Sequence, residues 1–327
     1  MKAIVVPRYG PPEVLRLDET EKCRAEDNEV LVRVQAASVN ALDWRTVRAK
    51  PFLVRTSQGF RRPKRPRLGV DMAGVVETLG KNATEFHVGD EVFGVAYGAF
   101  GEYVSAAEKE IVLKPAKVSY EAAAAVPIAG LTALQALRDT ARVQPGQKVL
   151  INGAGGGVGT FAVQIARSFG AEVTATSSPE NLDLLRSIGA DHVIDYSRED
   201  FTKGGHQYDV ILDMHPAHST SAYKRVLSPQ GIGVMVGFGG MFRLISVALR
   251  AKISSKSQGK RVVIMMAKPD KQDLGVLRDL LESGRLVPVI DRRFTLTEVP
   301  AALERVESGH ARGKVVISVA PSGPPAS

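Results

Sequence analysis

The chain has 327 residues, more than one hydrophobic core usually supports, so two domains are expected. Its single cysteine, Cys23, excludes an internal disulfide and any multi-cysteine zinc lobe, a usage that suits a reducing, cytoplasmic compartment. The net charge of +8 is concentrated in the segments 45–67 and 243–261, which read as a solvated loop and a surface helix, so nucleic acid is not the expected partner.

The chain starts at once on an edge strand, MKAIVV, without the charged-then-apolar pattern of a secretory signal. Short strands follow at 30–37, 73–79, 91–93, 101–104 and 111–113, separated by Gly, Pro and Asn turns, and they define a β-rich domain. An Ala-rich helix begins near Ser119; its apolar stretch 122–137 is broken by Pro127, Gly130 and Thr132, so no transmembrane segment is expected. The pattern then alternates: strand 148–152, helix 158–169, strand 172–176, helix 180–188, strands 192–195 and 209–213, helix 219–227, strand 233–237. Such alternation with short connections predicts an α/β fold, a doubly wound parallel sheet covered by helices on both faces. A further strand at 262–266 and a helix at 271–283 precede strands at 293–295 and 315–319, which return to the first domain. The expected boundaries are 1–120 with 268–327 for the β-rich domain and 121–267 for the inserted parallel-sheet domain.

LINGAGGGVGTFAVQIARSFG (150–170) is the most informative stretch. Its glycines separate an apolar run from a helix whose positions Phe161, Val163, Ile165, Ala166 and Phe169 recur at helical spacing. The first N–H groups of a helix have no internal partner, and the dipole adds positive charge there, so the turn Gly155, Gly156, Gly157, Val158, Gly159 suits a pyrophosphate. In a dinucleotide fold the second strand ends about 20 residues further on, where an acidic side chain commonly binds the ribose of NAD. Here that strand ends Thr174, Ala175, Thr176, Ser177, Ser178. With no carboxylate present, the hydroxyls of Thr176, Ser177 and Ser178 are expected to meet a 2′-phosphate, which favours NADPH; Glu180 opposes this unless it turns to solvent or caps the next helix.

GAGGGVGTFAVQIA and RSIGADHVIDY, together with AASVNALDW (36–44), GVDMAGVVETLG (69–80), VGDEVFG (88–94), AAAAVPIAGLTALQAL (122–137), VQPGQKVLI (143–151) and GKVVISV (313–319), resemble the medium-chain dehydrogenase/reductase superfamily in its zinc-independent, quinone oxidoreductase-like branch. The resemblance covers nearly the whole chain. It implies a GroES-like catalytic domain, a Rossmann NADP-binding domain, a cleft between them and commonly a homodimer. Zinc-dependent relatives carry a cysteine near the position of Asn40 and a His-Glu pair where this chain has Val70 and Asp71, so no metal is expected. His215 and His218 alone make a poor metal site.

The activity so implied is NADPH-dependent hydride transfer to a quinone or an α,β-unsaturated carbonyl, without a Lewis acid. By resemblance Asn40 lies beside the nicotinamide, positioning it or stabilising an oxyanion, although an Asn after a strand also simply forms turns. Thr132 resembles the family threonine near the nicotinamide ribose, and Tyr196 a tyrosine at the adenosine end. Gly237, Phe238 and Gly239, after the fifth strand, are placed to line the nicotinamide pocket. His215, at the carboxyl end of the fourth strand, is a candidate proton donor, whereas Asp43 is expected to hold the Arg45 or Arg48 loop. Two alternatives stay open. One is an enoyl-thioester reductase, against which Pro51 and Phe52 stand where such enzymes carry a donor tyrosine; the other is a nucleotide-binding protein contacting RNA or membrane through its basic segments.

Overall fold

The computed structural model describes residues 1–50, 55, 59–60, 62–216, 218–236 and 259–319. Gly237, Phe238 and Gly239, like Pro51 and Phe52, lie outside the described residues. The chain divides into two compact units, Met1–Leu131 with Pro269–Ser327, and Thr132–Lys268.

The first unit opens with β1 (Lys2–Val5) antiparallel to β2 (Arg16–Glu19). β3 (Glu29–Val39) is its longest strand: Val30, Val32 and Val34 are buried on one face, and Arg33 points to solvent. It ends at Asn40, which opens the helix Ala41–Arg48; Ala49 closes that helix in the left-handed region, with φ 48°. β4 (Asp71–Leu79), β5 (Glu91–Val95), β6 (Tyr103–Ala107) and β7 (Ile111–Leu113) follow. The helix Tyr120–Ala124 packs on β3 and β4, and Ile128 N donates to Asp71 Oδ1 at 3.0 Å. These contacts put the division after Leu131, where the sequence suggests residue 120.

The second unit is a single parallel sheet. Its strands are β8 (Lys148–Asn152), β9 (Glu172–Ser177), β10 (His192–Asp195), β11 (Tyr208–Asp213), β12 (Leu227–Val236) and β13 (Arg261–Met265). Their order, β10-β9-β8-β11-β12-β13, with every neighbour parallel, reverses direction at β8, where the chain first steps one way and then the other. That reversal is where open α/β sheets bind ligands. The helix Gly157–Ser168 leaves β8 and buries Phe161, Val163 and Ile165 completely, as the helical spacing requires. Where one helix is expected at 180–188, a 3-10 turn Pro179–Asn181 precedes the helix Leu182–Ser187, because Pro179 fits only the opening turn.

The chain then returns to the first unit through the helix Lys271–Glu282, β14 (Ile290–Thr295), the helix Val299–Glu307 and β15 (Lys314–Ser318). β15 enters between β14 and β3, completing the order β14-β15-β3-β4-β5-β7, with β6 on the side of β3. Its Val315 and Ile317 share one core with Val30, Val32, Met72 and Val92. The C-terminal segment is thus part of the β-rich core. Among the described residues no helix is long and apolar enough to cross a membrane.

Candidate active site

The glycine turn of the second unit contains glycines doing different jobs. A Cβ on Gly159 would stand 2.4 Å from Gly153 O and 2.6 Å from Ala154 Cα, so only glycine lets the helix sit this close to the strand. A Cβ on Gly155 would meet Ser177 Oγ at 2.6 Å and Asn181 Nδ2 at 2.7 Å, so its open side is filled by the end of β9. Gly156, the N-cap, is different: its Cβ would meet only Gly153 O, at 3.6 Å. The protein itself does not need a glycine there. The first-turn groups of Gly157, Val158 and Gly159 precede any intrahelical acceptor. A pyrophosphate fits this bare, donor-rich turn.

At the end of β9 the three hydroxyls divide. Thr176 is fully buried and donates to Asn152 Oδ1 at 2.5 Å. Asn152 Nδ2 in turn donates to Asp213 Oδ1 at 2.9 Å, and the Tyr223 hydroxyl donates to Asp213 Oδ2. Thr176 therefore belongs to a buried polar chain tying together the carboxyl ends of β9, β8 and β11. Ser177 and Ser178 both accept from Asn181 Nδ2, at 3.0 and 3.2 Å, which leaves their own protons to donate elsewhere. The Asn181 Oδ1 atom is buried without a partner among the described residues. Tyr196, 60% exposed, follows β10, and its backbone N–H donates to Ser177 O at 3.2 Å, so it stands beside the serines. Glu180 is exposed.

His215 lies after β11 with an exposed side chain, and its backbone N–H donates to Asp213 Oδ1 at 2.8 Å. His218 packs its ring edge-on against Phe201 at 5.0 Å and Tyr223 at 6.0 Å, so it serves the core. Among the described residues no group of three or more His, Cys, Asp or Glu side chains is arranged to hold a metal ion. Thr132 sits in the helix Pro127–Gln135 and is 7% exposed.

In the first unit, Asn40 is the centre of a buried polar cluster. Asn40 Nδ2 donates to Asp71 Oδ2 at 2.8 Å, and Lys314 Nζ donates to Asn40 Oδ1 at 2.7 Å and to Asp71 Oδ2 at 3.3 Å. Ser38 Oγ donates to the same Asp71 oxygen at 2.9 Å. Asp43 does not hold an arginine: its Oδ2 accepts from Asn40 N at 2.7 Å, while Arg48 forms a forked pair with Glu307 and Arg45 lies over the Trp44 ring. Burial pushes the Asp43 carboxyl up to about 7; the Asp71 carboxylate adds to this, while backbone donors at Asn40 and Gly69 and the Lys314 ammonium oppose it. Sequence reading passed over Lys314. Its only signal there is a charged residue opening an otherwise apolar strand, KVVIS.

The family model of the alcohol dehydrogenase GroES-like domain matches residues 26–116, and that of the zinc-binding dehydrogenases matches 188–317. A mouse protein named NAD(P)H oxidoreductase RTN4IP1, mitochondrial, is 32% identical over 98% of this chain and 89% of its own length. The quinone oxidoreductase from Coxiella burnetii superposes with a TM-score of 0.86 at 33% identity, covering 98% of this chain and 99% of that one. The CurK enoyl reductase does so with a TM-score of 0.86 at 27% identity, covering 98% and 99%. With its GroES-like β-rich unit, its Rossmann-like parallel sheet and these relatives, the chain belongs to the medium-chain dehydrogenase/reductase superfamily of oxidoreductases, in its quinone oxidoreductase-like branch.

Proposed function

We propose that the protein is an NADPH-dependent reductase of quinones or α,β-unsaturated carbonyls that works without a metal. The observation that carries this reading is the Asn40 cluster. By resemblance, zinc-dependent relatives place ligands at positions 40 and 71; here those positions hold an Asn and an Asp, and the Lys314 ammonium lies within 3.3 Å of both. An amide oxygen and a carboxylate oxygen already engaged by that ammonium are poor zinc ligands. Without a Lewis acid, the acceptor must already be electrophilic.

When bound, the nicotinamide coenzyme supplies the hydride. The residues fit that group: Gly156 leaves room for the pyrophosphate, the first turn of Gly157–Ser168 donates to it, and Ser177 and Ser178 have hydroxyl protons to give a 2′-phosphate. Asn40 donates to the oxygen of the acceptor, and His215, being exposed, is available to return a proton. Gly237, Phe238 and Gly239 belong to the same proposal as nicotinamide contacts. So do Thr132 at the ribose, Tyr196 at the adenine, a homodimeric assembly and a cytoplasmic location; the mitochondrial designation of the mouse relative makes cell fractionation the check on the last.

The likeness to the CurK enoyl reductase favours a second reading, reduction of an enoyl thioester. One assay separates the readings: purified protein, NADPH and a panel of quinones, enones and enoyl thioesters, followed by absorbance of the reduced nicotinamide. Turnover of quinones or enones at least tenfold above thioesters is expected. Preference for thioesters would install the second reading. Tight NADPH binding with no turnover, joined to salt-sensitive RNA or vesicle binding, would make the protein a nucleotide-binding module.

A further inference from the structure

Three segments distant in the chain converge on the side-chain amide of Asn40. β15 pairs with β3 so that Val315 faces Val39, which brings Lys314 beside Asn40; β4 pairs with β3 so that Asp71 faces Ser38. The resulting contacts bury the Lys314 side chain to 2% exposure and that of Asp71 to 0%.

The chemistry of these partners fixes the amide. An ammonium offers donors only, and an ionised carboxylate offers acceptors only. The usual ambiguity between amide oxygen and nitrogen therefore disappears: the oxygen must meet Lys314 at 2.7 Å and the nitrogen must meet Asp71 at 2.8 Å. A reversed amide would set N–H against ammonium and C=O against carboxylate. What is left to Asn40 is one N–H without a partner among the described residues.

We propose that Lys314 and Asp71 are positioning residues that hold Asn40 as an obligate hydrogen-bond donor, so that it stabilises the oxygen of a carbonyl acceptor as negative charge develops there. The proposal rests on the reductase reading of Asn40 given above. The ammonium on the amide oxygen also polarises the amide and strengthens its remaining N–H, and burial spares that polarisation from salt screening. Stability alone is a weak reason for such a pair, since apolar residues commonly replace a buried ion pair without loss. A substrate class follows. Quinones, enones and enals present an acceptor oxygen to this donor, whereas an alcohol awaiting oxidation must give up a proton, which the N–H of Asn40 cannot take.

The test compares the intact protein with the charge-neutral pair Lys314→Met with Asp71→Asn, and with Asn40→Asp, which keeps Lys314 satisfied but has no N–H. In wild-type protein labelled with 15N, the Asn40 side-chain proton that meets Asp71 should be protected from exchange; in the neutral pair the protection should be lost. With 1,4-benzoquinone or 2-cyclohexenone as acceptor, kcat should fall about tenfold or more in the neutral pair and about 100-fold in Asn40→Asp, with NADPH affinity within about threefold of wild type. An Asn40 amide unprotected from exchange in wild-type protein overturns the proposal, as does either variant retaining kcat within twofold. If the wild type reduces no acceptor, the reductase reading fails by itself. The amide measurement then still decides whether Lys314 and Asp71 hold Asn40.

Discussion

Asp43 is buried beside the Asp71 carboxylate and the Lys314 ammonium, and burial, more than the Asp71 charge, keeps it protonated. Its carboxyl is raised to about 7 from near 3.8, so between these values the native state holds a proton that the unfolded chain releases. Stability therefore falls as pH rises from about 4 to about 7, and the loss is complete above that. Asp43→Asn should flatten this dependence: the melting temperature measured at pH 5 and at pH 8 should converge relative to wild type, and an unchanged difference would contradict the assignment. The glycine turn allows an equally direct comparison. Gly159→Ala forces a Cβ to 2.4 Å from Gly153 O and should cost about 2 kcal/mol or more in denaturant unfolding, whereas Gly156→Ala, with nothing nearer than 3.6 Å, should cost less than about 1 kcal/mol yet weaken NADPH binding tenfold or more by titration. Equal stability losses would mean that both glycines serve packing. At this scale the sequence identifies Asn40 as a candidate but not its partner, because Lys314 lies 274 residues away and only sheet register joins them.

The end of β9 shows how an element sorts residues that look alike in sequence. Thr176, Ser177 and Ser178 form a uniform hydroxyl run, yet β9 is buried on both faces, its pairing with β8 puts Thr176 beside Asn152, and Ser178 opens the next turn. The Asn152, Asp213 and Tyr223 partners that fix Thr176 were not available in the sequence. Coenzyme preference should follow the division. Ser177→Ala with Ser178→Ala should lower the NADPH-to-NADH affinity ratio, while Glu180→Arg, which exchanges an exposed negative charge for a positive one, should raise it. Fluorescence titration with both coenzymes measures this, and an unchanged ratio in both variants would place the 2′-phosphate elsewhere. The strongly periodic elements, such as β8 and the helix Gly157–Ser168, are legible to within a residue or so. The weakly periodic ones escape: β2 (RLDE) is mostly exposed and paired only to β1, and the short helix Ala41–Arg48 has buried only Asp43 and Val47.

For the molecule as a whole, alternating strands and helices make the parallel sheet readable from the chain alone, because only one hand of crossover packs well. The return of the C-terminal segment is equally readable, and it has a functional consequence: β15 completes the β-rich core and at the same time delivers Lys314 to Asn40. That ammonium already engages the Asn40 oxygen and the Asp71 carboxylate, which is the reason to expect chemistry that needs no zinc. The most direct measurement is isotope transfer. Metal-depleted protein is mixed with 2-cyclohexenone and NADPH carrying deuterium at the transferable position, and the product is analysed by mass spectrometry. The account predicts deuterium on the β-carbon of the saturated ketone, at a rate that added zinc does not increase. Unlabelled product, or label that appears only when zinc is restored, would contradict it.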